Sequence, residues 1–308
     1  MKKLKLIFIN LLLILLILFI SELILNIKEY RNGKNIKPVE MLKNPYRDEF
    51  LFIMNRYYLD FENAFEIREP FIIKNAPVTL FMGCSFTYGM HLDEKRLPHI
   101  IYGKISKHSS YNWGRPATSP REMLSILRYN IYELPRKDNV KYVIYTYIQD
   151  HKRRLYDDMC KYEYDFKEKN NKLIKRNFIP YFEQLKTTRA IKQWIYSDVK
   201  VSECSDETQN FFALYIKEIY DEISKKYSYG NKKTKLIILI YDEDNCDRNW
   251  QKRAEEYSDN IKVIKISDLL NFNYKQKEWF IDESGHPNEK FWEILMPKLC
   301  KKLRKLSI

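Results

Sequence analysis

The chain has 308 residues, of which 54 are Lys or Arg and 41 are Asp or Glu, so its formal net charge is +13. Hydrophobic residues make up 45% and charged residues 31%, which is typical of globular proteins and excludes a chain that is mainly disordered. The mean hydropathy of −0.52 excludes a protein with many membrane spans, and the length predicts one large domain or two smaller ones.

The five cysteines are scattered along the chain without the C-x-x-C spacing that is typical of zinc sites. We expect most of them to be buried apolar residues, although an oxidising compartment would permit one or two disulfides. They are Cys84, Cys160, Cys204, Cys246 and Cys300.

Residues 1–26 form an apolar segment that is long enough to cross a membrane. Between Leu6 and Ile20 only Asn10 interrupts the apolar run, and about 20 helical residues cross the hydrocarbon layer. Lysines precede the run as in a secretory signal, but no small-x-small cleavage site follows it. We therefore predict an uncleaved, single-pass transmembrane signal anchor over residues 1–27. Basic residues on both sides nearly balance, and we favour a body outside the cytoplasm because single N-terminal anchors usually insert that way.

The remainder of the chain shows the alternation of strands and helices that is typical of an α/β fold. Residues 28–75 are rich in charged and aromatic residues, and we interpret them as a connector and first packing layer. Short apolar runs and segments of helical periodicity then alternate. Strands are predicted at residues 78–82, 111–113, 141–148, 236–241 and 261–266, and helices at residues 97–105, 120–134, 211–223, 249–257 and 288–303.

This alternation predicts a central parallel sheet with right-handed crossovers. It stops at residues 154–207, which carry charge and aromatic residues but no strand-like runs. We interpret this stretch as an insertion that covers one end of the sheet.

A serine follows the first predicted strand, within GCSFTYG at residues 83–89. Open parallel sheets bind ligands at the carboxyl ends of their strands. On a tight turn there, Ser85 would expose its hydroxyl and aim its own N–H at the same space, as an attacking residue with an oxyanion donor requires. Thr87 replaces the second glycine of the G-x-S-x-G elbow, and on its own a structural serine is the commoner interpretation.

A histidine near the other end of the chain is the candidate base. It lies in WFIDESGHPN at residues 279–288. His286 can accept the serine proton, while a carboxylate three or four residues earlier fixes its tautomer. We favour Asp282 as that acid, with Glu283 as the alternative.

Taken in order, these motifs resemble the SGNH (GDSL-like) hydrolase superfamily. GCSFTYG resembles the first block, in the variant with Cys where Asp is commoner. NWGRP at residues 112–116 resembles the second block, whose glycine N–H, here that of Gly114, contributes to the oxyanion hole. Residues 282–288 resemble the last block. The resemblance implies a flavodoxin-like three-layer α/β/α domain over residues 76–308.

The third block departs from the family pattern, which has a glycine and an asparagine there. The sequence is YIQDHKRR at residues 147–154. Gln149 is the candidate for the missing side-chain donor of the oxyanion hole. The Asp-His-x-Arg ending would otherwise orient substrate or organise the insertion.

The resemblance implies a membrane-anchored serine esterase or O-acyltransferase that works through a Ser85–His286–Asp282 or Glu283 triad and an acyl-enzyme. Its substrates would be acyl esters, foremost acetyl esters, of carbohydrate, envelope polymer or lipid, and no metal or cofactor would be needed. The alternative is a catalytically inactive domain that binds glycan or a partner protein, supported by the missing asparagine. Nucleic-acid binding is not predicted, since no recognised module is present.

Overall fold

The computed structural model describes residues 16, 17, 20, 67–116, 118–155, 166–169, 172–175, 204–243, 245–281 and 285–306. The chain separates into two compact units, and the second consists of residues 43–175 and 202–308. Within the described residues, no helix is both long and apolar enough to cross a membrane. The predicted anchor over residues 1–27 lies outside the described residues, apart from three helical positions.

A six-stranded sheet forms the centre of the second unit, and two short hairpins accompany it. The described strands are β1 (Arg68–Phe71), β2 (Val78–Gly83), β3 (Ser109–Asn112), β4 (Val140–Tyr147), β5 (Phe166–Lys169), β6 (Lys172–Lys175), β7 (Ser228–Tyr229), β8 (Lys232–Lys233), β9 (Lys235–Ile240) and β10 (Ile261–Lys265). The spatial order in the sheet is β1-β3-β2-β4-β9-β10. Four neighbouring pairs are parallel, whereas β1 and β3 are antiparallel.

Helices pack on both faces of this sheet. They are α1 (Ser85–Tyr88), α2 (Pro98–Ser106), α3 (Pro120–Arg128), α4 (Asp150–Arg154), α5 (Asp206–Lys226), α6 (Arg248–Tyr257), α7 (Ile266–Leu269) and α8 (Glu289–Lys305). One apolar core joins the sheet to α3, α5 and α6, and a second joins it to α2 and α8. The predicted α/β fold is therefore confirmed.

The continuous apolar runs form central strands because both of their faces are covered. In β2, Leu80 and Met82 point into the first core and Phe81 into the second, as the two-residue period of a strand requires. All six residues of β2 are buried. The carboxyl ends of β2 and β4 consequently lie side by side, with Gly83 opposite Thr146.

Three details differ from the sequence-based expectations. The sheet is mixed rather than parallel, because β1 joins its edge in antiparallel orientation. The helix predicted to reach residue 134 ends at Arg128, since Asn130 adopts a left-handed conformation with φ 51°, which asparagine tolerates. Finally, β5 and β6 form a hairpin in the insertion, where residues 166–175 have too few apolar side chains to reveal strands.

His99 fastens the edge strand β1 to the rest of the unit. Its Nε2 lies 2.9 Å from the carbonyl oxygen of Glu69, and its Nδ1 lies 3.3 Å from Asn112 Nδ2. The amide of Asn112 donates to Nδ1, so the ring proton belongs on Nε2, which donates to Glu69. Burial lowers the pKa of His99 from 6.5 to about 4, and the imidazole is therefore neutral in the folded protein.

This buried imidazole makes stability dependent on pH. Between about pH 6.5 and pH 4 the unfolded chain binds a proton that the folded His99 does not, so the free energy of unfolding falls as the pH is lowered. The expected slope from one histidine is about 1.4 kcal/mol per pH unit. Urea unfolding at several pH values in this range measures the free energy of unfolding as a function of pH. In His99→Gln, which keeps a donor and an acceptor, the slope of this free energy against pH should be smaller by that amount. An unchanged slope in the variant would contradict this assignment.

A buried ion pair connects α4 to the loop before α6. Lys152 Nζ lies 2.5 Å from Asp247 Oδ1, and both side chains are fully buried. The second carboxylate oxygen accepts a hydrogen bond from Tyr147 at 2.9 Å. A disulfide between Cys204 and Cys246 lies beside the pair, a pairing that the sequence did not predict. Cys84 and Cys300 are free and buried, and Cys160 lies outside the described residues.

Breaking this pair should destabilise the protein strongly. Asp247→Ala would leave the Lys152 ammonium buried without its counter-charge, at an expected cost of about 3–5 kcal/mol in the free energy of unfolding. Urea denaturation measures this difference. The exposed pair Lys252–Glu256, at 3.6 Å, provides the control, because Glu256→Ala should change stability by less than about 1 kcal/mol. Equal effects of the two substitutions would refute the interpretation.

Candidate active site

Ser85 begins the short helix α1 directly after the buried strand β2. Gly83 ends the strand with φ 146°, and a Cβ there would lie 2.3 Å from Thr87 Oγ1, so only glycine fits this turn. Gly89 closes the helix in the left-handed conformation, and its N–H donates to the carbonyl oxygen of Ser85 at 3.0 Å. The local sequence thereby holds Ser85 at the carboxyl edge of the sheet, with 7% of its surface exposed.

His286 belongs to the loop that leads into α8. Two backbone hydrogen bonds, both 2.9 Å long, close the loop. The N–H of Ile281 donates to the carbonyl oxygen of His286, and the N–H of Asn288 donates to the carbonyl oxygen of Trp279. The side chain of Asn288 also accepts a hydrogen bond from the N–H of Phe291 at 3.0 Å, which caps α8. His286 is thus anchored on both sides by backbone contacts.

The structure brings Ser85 and His286 together, although 201 positions separate them in the chain. His286 Nε2 lies 2.8 Å from Ser85 Oγ, a hydrogen-bond distance. The imidazole ring also contacts Phe86, with ring centroids 5.1 Å apart, and His91, with centroids 6.1 Å apart. A neutral imidazole in this position can accept the proton of the hydroxyl, as a general base does for a serine nucleophile.

The two candidate acids, Asp282 and Glu283, lie outside the described residues. Their assignment as the orienting carboxylate stays a prediction from the sequence.

Gly114, the predicted oxyanion donor of the second motif, lies in the loop after β3, and its role as a donor stays a prediction. Its backbone N–H donates to Oδ1 of Asn112 at 2.9 Å and is therefore engaged within the protein. The amide nitrogen of Asn112 donates in turn to the carbonyl oxygen of Thr87 in α1 at 2.8 Å. The Asn-x-Gly spacing contained a signal for this arrangement, because asparagine side chains often bind the backbone two residues later.

The absence of a side chain at Gly114 also allows α1 to approach the loop after β3. A Cβ at this position would lie 2.7 Å from the backbone nitrogen of Tyr88 and 2.9 Å from Thr87 Cβ. Gly114 is accordingly a packing residue of the site.

Substituting Gly114 by alanine should displace α1 and Ser85 with it. The expected result is a loss of about 1–3 kcal/mol of stability, the usual cost of overpacking, together with slower labelling of Ser85 by a fluorophosphonate. Gly230→Ala is the control, because φ is 56° there and a Cβ would meet nothing within 4 Å. It should lower stability through backbone strain alone and leave the labelling rate unchanged. Equal labelling of both variants would contradict the packing role.

Gln149 follows the carboxyl end of β4, next to β2 in the sheet. Its backbone N–H donates to Asp242 Oδ1 at 2.7 Å, which fixes its main chain at the edge that also carries Ser85. The structure thus places Gln149 near this edge, and its role as an oxyanion donor stays a prediction.

Arg154 connects α4 to the loop after β3, close to Ser85. The sequence did not predict this contact. Arg154 Nε donates to Asp150 Oδ2 at 2.7 Å and its Nη1 to the carbonyl oxygen of Thr118 at 3.1 Å. Thr118 in turn donates to the carbonyl oxygen of Gly83 at 3.0 Å. Burial raises the pKa of the neighbouring Cys84 thiol, although the Arg154 charge acts in the opposite direction. Cys84 is therefore a neutral thiol and a poor nucleophile.

Metal ligands are not clustered in the part of the chain that the structure describes. No group of three or more His, Cys, Asp or Glu side chains there is arranged to hold a metal ion.

The fold has distant counterparts among solved structures. One is a candidate lipolytic protein of the G-D-S-L family from Desulfitobacterium hafniense DCB-2, at 13% identity over 73% of this chain and 98% of that one, with a TM-score of 0.42. Another is an acetyl xylan esterase from the rumen bacterium Butyrivibrio proteoclasticus, at 10% identity over 76% and 65%, with a TM-score of 0.48. A third is the inhibitor-bound aryl esterase of M. smegmatis, at 9% identity over 75% and 100%, with a TM-score of 0.40.

At the level of sequence, no protein-family model matches the chain, and no curated protein matches it. We therefore base the functional proposal on the geometry of the site and on its ordered motifs.

Proposed function

We propose that this protein is a membrane-anchored enzyme of the SGNH type that acts on ester bonds, either as a serine esterase or as an O-acyltransferase. The main support is the 2.8 Å distance between Ser85 Oγ and His286 Nε2. Further support comes from the order of the motifs around these two residues and from a sheet covered by helices on both faces, which fits a flavodoxin-like three-layer domain.

In the proposed reaction Ser85 Oγ attacks the ester carbonyl while its proton passes to His286 Nε2. The imidazolium then gives this proton to the leaving alcohol as the tetrahedral intermediate collapses to an acyl-enzyme. Water or an acceptor hydroxyl attacks the acyl-enzyme, and His286 again accepts and returns the proton. Water as the acceptor makes the protein an esterase, and a sugar hydroxyl makes it an acyltransferase.

The intermediate needs donors for its oxyanion and the imidazolium needs a carboxylate. We assign the first donor to the backbone N–H of Ser85, because the first N–H groups of a helix have no partner within the helix. Gly114 and Gln149 are the other predicted donors, and the N–H of Gly114, which donates to Asn112 at 2.9 Å, would exchange that partner for the oxyanion. Asp282, or else Glu283, would orient His286.

We further propose acyl esters, foremost acetyl esters, of carbohydrate, envelope polymer or lipid as substrates. These assignments follow from the family resemblance of the motifs. Residues 1–27 would anchor the chain in a membrane, with the catalytic body outside the cytoplasm.

A second candidate function is a domain that binds glycan or a partner protein without turning it over. Two observations favour it: the N–H of Gly114 is already engaged, and no asparagine follows β4. Loss of one oxyanion donor typically lowers turnover by about 10²–10³, so a site with the Ser85 donor alone would be slow.

Acetate release decides between these functions. The purified full-length protein would be incubated with acetylated glycans and simple aryl esters, with and without a sugar acceptor, beside a Ser85→Ala variant. Release that depends on Ser85 supports the enzyme, and acetyl transfer to the added sugar identifies a transferase. Binding of acetylated glycan with no release by either protein would support the binding domain instead.

A further inference from the structure

Most of the net positive charge of the chain lies in three short segments. Residues 136–141, 228–235 and 300–306 contain ten Lys or Arg residues and a single acidic residue, Asp138. Ten positive charges and one negative charge give a formal charge of +9, compared with +13 for the whole chain. The excess of charge is thus concentrated rather than spread over the sequence.

These segments meet at the end of the sheet where β4 and β9 begin. The β7–β8 hairpin is joined to the first segment by a hydrogen bond from the N–H of Ser228 to the carbonyl oxygen of Lys137, 3.0 Å long. Lys235 pairs with Tyr142 in the sheet, and its Nζ donates to the carbonyl oxygen of Leu306, just after α8. We call this surface the basic pole, and it consists of Lys137, Lys141, Lys232, Lys233, Lys235 and Arg304.

Carboxylates do not neutralise the basic pole. Within the described residues, none of its six side chains has a carboxylate oxygen within 4.0 Å, whereas lysines elsewhere form ion pairs, such as Lys225 with Glu222 at 3.2 Å and Lys265 with Glu243 at 2.6 Å. Burial, followed by repulsion from neighbouring lysines of the pole, lowers the pKa of Lys141. The pole therefore carries a strong positive potential.

The basic pole lies at the opposite edge of the sheet from Ser85. Ser85 follows the carboxyl end of β2, and the pole surrounds the amino ends of β4 and β9, which run parallel to β2. Eight residues of β4 at ~3.3 Å each separate the two edges by about 25 Å. The pole is consequently not a subsite for the group that Ser85 would attack.

We propose that the basic pole binds the surface of an anionic lipid bilayer and holds the folded body against it with Ser85 facing away. Anionic headgroups attract clustered basic side chains without requiring a defined geometry. Five of the six residues are lysines, which act as point charges rather than bidentate forks. Nucleic acid would favour exposed aromatic rings for base stacking, but Tyr229 is half-buried and lies 5.5 Å from the Lys141 ammonium. The proposal rests on the proposed membrane anchor but not on catalysis, and among the proposed substrates it favours carbohydrate and envelope polymer over ester lipids of the same bilayer.

Acetylation footprinting tests this orientation on the full-length protein. The protein is reconstituted in vesicles of phosphatidylcholine alone or of phosphatidylcholine with phosphatidylglycerol, treated with an amine-reactive acetylating agent, and analysed by mass spectrometry. We expect acetylation of Lys232 and Lys233 to fall several-fold in the anionic vesicles and to recover at high salt, because salt screens exposed charges. Acetylation of Lys252 on α6 should be equal in both.

Charge reversal provides the matched comparison. Lys232→Glu with Lys233→Glu should abolish the protection of Lys137, whereas Lys252→Glu with Arg253→Glu, the same change of charge on exposed positions of α6, should leave it intact. Circular dichroism verifies that both variants are folded. The proposal is overturned if pole lysines react equally in both vesicles, if Lys252 is protected as strongly as they are, or if a nucleic-acid oligonucleotide protects them and anionic vesicles do not.

Discussion

Replacing Ser85 by alanine is expected to abolish labelling by a fluorophosphonate probe and to lower ester turnover by roughly 10⁶, the scale on which serine hydrolases lose activity without their nucleophile. The reason is the hydrogen bond between Ser85 Oγ and His286 Nε2, through which the proton would pass in the proposed reaction. His286→Ala should therefore cost about as much, and the double variant little more than either single one. Steady-state hydrolysis of an aryl ester measures all three.

The control for this experiment is Ser267→Ala, since Ser267 is exposed on α7 and should not affect labelling. Undiminished labelling of Ser85→Ala would refute the proposed nucleophile. Additive losses in the double variant would mean that Ser85 and His286 act independently. A wild-type protein that is never labelled would favour the binding domain.

The second large effect concerns the carboxylate that is predicted to orient His286. Asp282→Asn should lower kcat by roughly 10⁴, because an amide in this position favours the wrong tautomer of the imidazole. Glu283→Gln makes the same chemical change one residue later and should lower kcat less than tenfold. Turnover of an aryl ester by the two variants at saturating substrate measures the difference.

Reversed effects would assign the acid to Glu283, the alternative that the spacing allows. If neither substitution lowers kcat by more than tenfold, no carboxylate of this loop orients His286. Unfolding in urea serves as the control, because both variants should be as stable as the wild type.

The sequence predicted the central strands well because burial on both faces leaves an unmistakable apolar run. For β2 and β9 the predicted and observed strands differ by no more than one residue at each end. The edge strand β1, with the sequence REPF, shows neither an apolar run nor alternation. Its position depends on long-range contacts such as that of His99 with Glu69, which no local pattern reports.

For the candidate site, the sequence predicted that Ser85 and His286 would meet, since both were expected at the carboxyl edge of one sheet. It could not predict the hydrogen bonds of Gly114, because the N–H that the motif offers to an oxyanion is equally well placed for Asn112. The hydrogen bonds of Arg154 could not be predicted either. One of them ends on the backbone carbonyl oxygen of Thr118, and every residue type has such an oxygen.

The long separation of Ser85 and His286 in the chain has a consequence for how the protein matures. Four of the six sheet strands, β3, β4, β9 and β10, lie between them in the chain, so we expect the pair to form only when these strands have joined the sheet. Incomplete chains that end before His286 would contain the hydroxyl of Ser85 but not the imidazole that accepts its proton. Enzymatic activity would then appear only in completely folded chains, and incomplete chains would be inactive.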